Sequence, residues 1–240
     1  MRATRFSRAA AEGSTFQDLE DLARTLAAWI REIPERRRAG SDVSRVVAIT
    51  GPPGIGKTTT CMRLREIDDD VAVVHLDEFL RERTFRREKR LSPFDLRAWE
   101  HERALADLKA MFFFGAIRIR PYSVKGGEHG EACDVFLRRT VLLDGTLAAL
   151  SDDVRQLADA TVVFTADPET IRALRRDRDQ RHGRVDEHDE AERWLAEWPT
   201  LRDNILPVTD LANIAVETSH LRLYRVREVA PVRHATHRSA

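Results

Sequence analysis

Apolar residues fall along this chain in two rhythms. From Ser14 to Ile33, the residues Phe16, Leu19, Leu22, Leu26, Trp29, Ile30 and Ile33 recur mostly at three- and four-residue steps. That spacing predicts an amphipathic helix, with Ser14 or Thr15 as its cap and Pro34 just past its end. Short, nearly continuous apolar runs then follow at Val46–Ile49, Val71–Leu76, Thr140–Leu143, Thr161–Thr165 and Ala212–Val216. They read as buried strands. Helical stretches lie between most of them, at Asp95–Met111, Ser151–Leu157, Pro168–Arg178 and Glu187–Trp198. Alternating strands and helices predict an α/β fold, a five-stranded parallel sheet flanked by helices.

Two segments break the alternation. Residues 112–136 contain the alternating Ala116-Ile117-Arg118-Ile119-Arg120, then Pro121-Tyr122 and a Gly126-Gly127 turn. They read as a β-hairpin projecting from the sheet, with Phe112-Phe113-Phe114 as its anchor in the core. Residues 221–240 are basic with few periodic apolar positions, and read as a partly mobile tail. The expected organisation is a lead-in and helix over residues 1–40, a core domain over 41–220, and that tail.

Composition narrows the class. At 240 residues and 42% hydrophobic, the chain suits one α/β domain. Its formal charge is zero, so no global field points to nucleic acid or an anionic membrane. No apolar run approaches the roughly 18 residues of a membrane span, and MRATRFSRAA lacks the apolar stretch of a secretory signal. Cys61 and Cys133 are too few for a disulfide framework, which fits a reducing cytoplasm. His129 and Cys133 lack further ligands nearby for a metal site.

Directly after the first buried strand comes TGPPGIGKT, residues 50–58. Gly51, Gly56, Lys57 and Thr58 fit G-x-x-x-x-G-K-[ST] between a strand and a helix, the pattern of a phosphate-binding loop. Glycines here, Gly54 among them, let the backbone wrap a phosphate chain, and the amides of Ile55 through Thr59 point donors at it. Lys57 adds charge at the β- and γ-phosphates, and the Thr58 hydroxyl can ligate Mg²⁺.

Two later strands end in carboxylates, VVHLDEFL with Asp77-Glu78 and VLLDGTL with Asp144. In an open parallel sheet both fall at the edge that carries the loop. Asp77 lies only one helix after Lys57, too early for the paired carboxylates of remodelling ATPases. Asp144 is therefore the better candidate for the Mg²⁺ water shell. Asp77 is left to orient an acceptor hydroxyl and take its proton late in transfer. After the Thr161–Thr165 strand, RALRRDRDQRHGR reads as a lid over residues 168–186. Arg176 and Arg178, with Arg181 next, are its candidates for neutralising the triphosphate.

These pieces in order resemble the uridine kinase, phosphoribulokinase and type I pantothenate kinase group of P-loop kinases. The matching stretches are GPPGIGKTT, VVHLDEFL, SPFDLRAWEHERALADL, IRIRPYS, VLLDGTL, RALRRDRDQRHGR and LPVTDLANIAVE. The resemblance implies an ATP- and Mg²⁺-dependent phosphotransferase acting on a small-molecule hydroxyl, a nucleoside-like one first. It puts Asp77 on the catalytic aspartate and Phe79 beside the acceptor. Pro93 and Asp95 precede the helix bordering the acceptor pocket, and Tyr122 falls on the tyrosine covering a nucleoside. Asp144-Gly145 stands where the group carries Glu-Gly. His129 lies further along than the histidine that uridine kinases use for the base. RERTFRREKR, residues 81–90, reads as an exposed charged loop rather than a phosphate clamp. A homodimer is also implied. Rival readings are a GTP-dependent switch, disfavoured because none of the four lysines starts a Lys-x-Asp element, and an ATPase using Asp77-Glu78.

Overall fold

A computed structural model of the protein describes residues 14–37, 43–181 and 187–229. In chain order the strands and helices are β1 (Thr15–Phe16), α1 (Leu19–Glu32), β2 (Arg36–Arg37), β3 (Val43–Thr50), α2 (Lys57–Ile67), β4 (Val71–His75) and α3 (Arg83–Glu88). Next come α4 (His101–Phe114), β5 (Ala116–Ile119), β6 (Tyr122–Ser123), β7 (Glu128–His129), β8 (Cys133–Phe136) and β9 (Thr140–Asp144). The last are α5 (Leu147–Leu150), α6 (Asp152–Gln156), β10 (Ala160–Thr165), α7 (Pro168–Arg181), α8 (Glu187–Asn204), β11 (Ile214–Thr218) and β12 (Tyr224–Glu228).

Five strands pair in parallel in the order β11-β10-β3-β9-β4. Their side chains alternate between two cores, as a period of two requires. Val47, Ile49, Val73, Leu142, Val162 and Phe164 face one core, under α1 and α2. Val46, Ala48, Val74, Val141 and Leu143 face the other with α4. Both faces are covered, which is why these strands read as continuous apolar runs. Among the described residues no helix is long and apolar enough to cross a membrane.

The edges depart from expectation. The sheet is larger than five strands: β12 adds antiparallel to β11, β1 adds to β12, and β2 pairs with β3. Part of the expected tail is therefore an edge strand, with Tyr224 and Val226 buried and Arg225 exposed. Its two inward residues, set among arginines, make too short an alternation to stand out. Helix α1 starts later than predicted. Asp18 caps it by accepting from the Asp21 amide at 2.8 Å, while Thr15-Phe16 is strand. Helix α8 runs through Pro199, against the usual cost of an internal proline. Leu201, which is fully buried, and Asn204, which donates to the Phe94 carbonyl at 2.8 Å, hold its last turn.

The excursion forms two small antiparallel ladders of its own, β5 with β8 and β6 with β7. It begins after α4, which ends at Gly115. Of the three phenylalanines before it only Phe112 is buried, joined in the core by Ile117 and Ile119 of β5; Phe113 and Phe114 are exposed. The lid loop at 182–186, with His182, Gly183 and Arg184, lies outside the described residues.

Candidate active site

Three strand ends meet at one edge. Ile49 on β3, Asp144 on β9 and His75 on β4 share a register row, so the phosphate loop, Asp144 and the turn carrying Asp77 emerge side by side. The loop hugs the sheet: Gly51 has φ 129°, and a Cβ there would stand 2.1 Å from the Phe164 carbonyl oxygen. No side chain fits at that position. Gly56 then caps α2 without any side-chain acceptor, so the amides of the first helical turn stay open to an anion.

Ile55 is fully buried in the core, so it can serve a phosphate only through its amide. Thr58 and Thr59 are exposed. Lys57 is buried and folds back, its Nζ donating to the Pro52 carbonyl at 2.6 Å. Burial pushes its ammonium below the usual range, while Asp144 and then Asp77 act in the opposite sense.

Asp77 stands in the short helical turn Leu76–Phe79 that follows β4. Gly145, with φ 145°, lets β9 close on this turn; a Cβ there would lie 3.2 Å from Asp77 Oδ1 and 3.0 Å from Leu76 Cβ. Water reaches the Asp77 side chain. The protein packed around it nonetheless raises its carboxyl above the usual range, with Asp144 adding to the rise. Lys57, Arg178 and His75 oppose it. Four charged groups thus act on one accessible carboxylate.

Asp144 is buried at 3% exposure. Its Oδ2 accepts from His75 Nδ1 at 3.0 Å, and its Oδ1 has no hydrogen-bond partner. That hydrogen bond also raises the His75 imidazole above its ordinary value. Among the described residues no cluster of three His, Cys, Asp or Glu side chains could hold a metal alone. A free, buried carboxylate oxygen on Asp144 and an exposed Thr58 hydroxyl, both at this edge of the sheet, are donors that suit Mg²⁺, which keeps waters and takes phosphate oxygens as ligands. Cys61 lies beneath, its thiol pushed well up by burial, by the charge of Asp144 and by a side-chain contact with that carboxylate.

The arginines of α7 separate. Arg178 bonds Asp179 Oδ1 at 3.0 and 2.8 Å, and its charge acts on both Lys57 and Asp77. Arg176 is exposed, with no ion pair among the described residues. Arg181 turns aside, its guanidinium on Asp177 Oδ2 at 2.7 Å, where Arg222 also binds at 2.9 Å. A phosphate role for Arg181 conflicts with that pairing.

The acceptor side also corrects two expectations. Phe79 is fully buried in the core under the Arg103 guanidinium, so it supports the Asp77 turn and touches no ligand. Both ring nitrogens of His129 meet main-chain carbonyls, Nε2 at Leu80 and Nδ1 at Arg120, each at 3.1 Å. That leaves none for a nucleobase. Tyr122 is half-buried, its ring edge-on to His129 at 5.3 Å and its hydroxyl accepting from Arg86 at 2.7 Å. The Tyr122 amide donates to Glu78 Oε2. Asp95 caps its own turn, accepting from the Arg97 amide at 2.9 Å. The stretch 81–90 is not a loose loop: Arg83 of α3 donates to the Lys125 carbonyl at 3.3 Å and to that of Val124.

Sequence reasoning missed the roles of three residues here. His75 reads as a strand residue, yet a polar ring inside VVHLDE, two places before the aspartate, is the available signal. Glu78 reads only as the second carboxylate of a rival ATPase pair and Arg86 only as part of a charged stretch, because the partners that fasten them lie 44 and 36 residues away. A further recess of about 470 Å³ opens at the ends of β10 and β11, lined by Thr165, Asp167, Glu217, Thr218, Thr15 and Arg225 among others.

This fold is that of the P-loop kinases. The chain is similar to a candidate fructose transport system kinase from Silicibacter sp. TM1040, with 18% identity, 79% of this chain and 96% of that one covered, and a TM-score of 0.60. A candidate uridine kinase from Bacillus stearothermophilus matches at 18% identity over 82% and 96%, with a TM-score of 0.55. Phosphoribulokinase from Rhodobacter spheroides matches at 14% over 72% and 70%, with a TM-score of 0.58. No protein-family model and no curated protein matches the sequence.

Proposed function

We propose that this protein is an ATP- and Mg²⁺-dependent phosphotransferase that moves the γ-phosphate to a hydroxyl of a small molecule, a nucleoside-like compound being the first to test. The observation that carries it is the position of Asp77: accessible, one helix after the phosphate loop, and acted on by Lys57 and Arg178. The named kinases of this fold are described as acting on different small molecules, which supports the reaction class and leaves the acceptor open.

In this reading Lys57 and the open amides of α2 hold the β- and γ-phosphates. Thr58 and Asp144 would hold Mg²⁺, which supplies neutralising charge to the phosphate oxygens when bound. Asp77 orients the acceptor hydroxyl. Its oxygen bonds to the γ-phosphorus as the β–γ bridge breaks, the proton passes to Asp77, and ADP leaves. Arg178 neutralises charge on the transferring group. The recess at the ends of β10 and β11 receives the donor base.

Acceptor-dependent ADP release, screened over nucleosides, pantothenate and sugar phosphates, tests the class. Asp77→Asn should lower kcat by a factor on the order of 10²–10⁴ and leave nucleotide affinity nearly unchanged, while Glu78→Gln stays active. The reverse pattern, with acceptor-independent hydrolysis lost in Glu78→Gln, would favour an ATPase. Asp77→Asn also has a stability signature. A carboxyl raised by folding destabilises the fold above its folded pKa, and the cost vanishes as pH falls below its unfolded value of about 4. The variant should therefore melt higher at neutral pH, the gain shrinking toward acid.

A further inference from the structure

We infer that His75 is a positioning residue for the metal carboxylate, fixing Asp144 so that Oδ1 faces the Mg²⁺ site. The inference rests on the reading of this edge as a nucleotide–metal site. Asp144 and His75 are register partners at the ends of adjacent parallel strands. The main chain beyond Asp144 is already pinned, since the Gly145 amide donates to the Ile49 carbonyl at 3.1 Å. What remains free is the rotation of the carboxylate.

His75 removes that freedom. An ionised carboxylate only accepts, so the proton of this 3.0 Å bond sits on Nδ1 and is donated to Oδ2. The second oxygen then lies buried with no partner, an arrangement that costs free energy unless a ligand fills it. The imidazole is 35% exposed against 3% for the carboxylate it bonds. Without the His75 donor the Asp144 side chain is free to rotate, and Oδ1 is no longer held toward the metal position. Outer partners of metal ligands act in this way elsewhere, and their removal typically costs about 10–100-fold in metal affinity.

The test is calorimetric titration of ADP with and without Mg²⁺, which needs no turnover. Wild type should bind ADP more tightly when Mg²⁺ is present. His75→Ala should lose about tenfold of that Mg²⁺-linked gain while its metal-free ADP affinity stays unchanged, which also reports an intact loop. His75→Asn, whose Nδ2 occupies the place of the ring Nδ1, should recover most of the gain. An unchanged gain in His75→Ala, equal impairment in both variants, or an equal loss with and without metal would each overturn the assignment. A wild type with no Mg²⁺-linked gain would remove the metal-site reading along with it.

Discussion

At the phosphate loop the chain is held by its main chain, whereas at the hairpin the same task falls to long side chains reaching across to carbonyls, an amide and a phenol. Gly51 lies against the Phe164 carbonyl, and Gly145 lies against Asp77. At Gly51 the neighbours are all main-chain atoms of Phe164, so a side chain there would displace backbone. On the other side, Arg83 and Arg86 of α3 and Glu78 of the turn after β4 grip the hairpin, all three half-buried. The contrast matches the two tasks. On the function proposed above, a rigid cradle suits a triphosphate, whose geometry does not vary, while an acceptor site held by side chains can be re-tailored by substituting a few of them.

The comparison breaks most visibly at Gly51. In Gly51→Ala, a methyl group at 2.1 Å from a carbonyl oxygen and a φ of 129° are both unfavourable. Strain and overpacking of this kind cost about 3 kcal/mol or more. We expect the melting temperature to fall by about 10 °C and nucleotide binding to be lost, as read by thermal unfolding and ADP titration. A variant that keeps wild-type stability and affinity would mean that the loop is looser than the β3–β10 packing implies.

The same division explains what could be read from residues alone. The loop, the five parallel strands and the carboxylates at their ends were legible, because each is a local pattern of consecutive residues. The hairpin was legible as an excursion through its alternation and its Gly126-Gly127 turn, but its fastening was not. Glu78 meets Tyr122 across 44 residues, and His75 meets Asp144 across 69. A strand pattern fixes which way His75 points only once the neighbouring strand is known. Phe79 and His129 misled for a related reason: family position suggested a ligand contact, while burial and the Leu80 and Arg120 carbonyls commit both to the fold. Arg178 and Arg181 sit three places apart on one helix and face different partners, a distinction that no run of arginines reveals.

On the acceptor side, effects should be smaller and confined to the acceptor. Glu78 is half-buried, its carboxyl raised by that burial, while the Tyr122 amide and His75 oppose the rise. Glu78→Ala leaves that amide without its partner, an omission worth about 1–3 kcal/mol if it stays buried. We expect the acceptor KM to rise about tenfold, with the KM for ATP unchanged. Equal rises in both would show that Glu78 supports the whole edge rather than the hairpin.

The gentlest test is Tyr122→Phe, which separates the two uses of that side chain. The phenol oxygen accepts from Arg86, whose Nε also donates to the Arg81 carbonyl at 2.9 Å. Removing the oxygen leaves Arg86 anchored at its other end and near water, so the net loss should be about 0.5–1.5 kcal/mol, the worth of one ordinary hydrogen bond. The ring and its edge-on contact with His129 survive. If Tyr122 serves the acceptor through its aromatic face, the acceptor KM should change by about threefold or less, while Tyr122→Ala raises it much further. Matching losses in the two variants would assign the role to the hydroxyl instead, and with it a polar group on the acceptor.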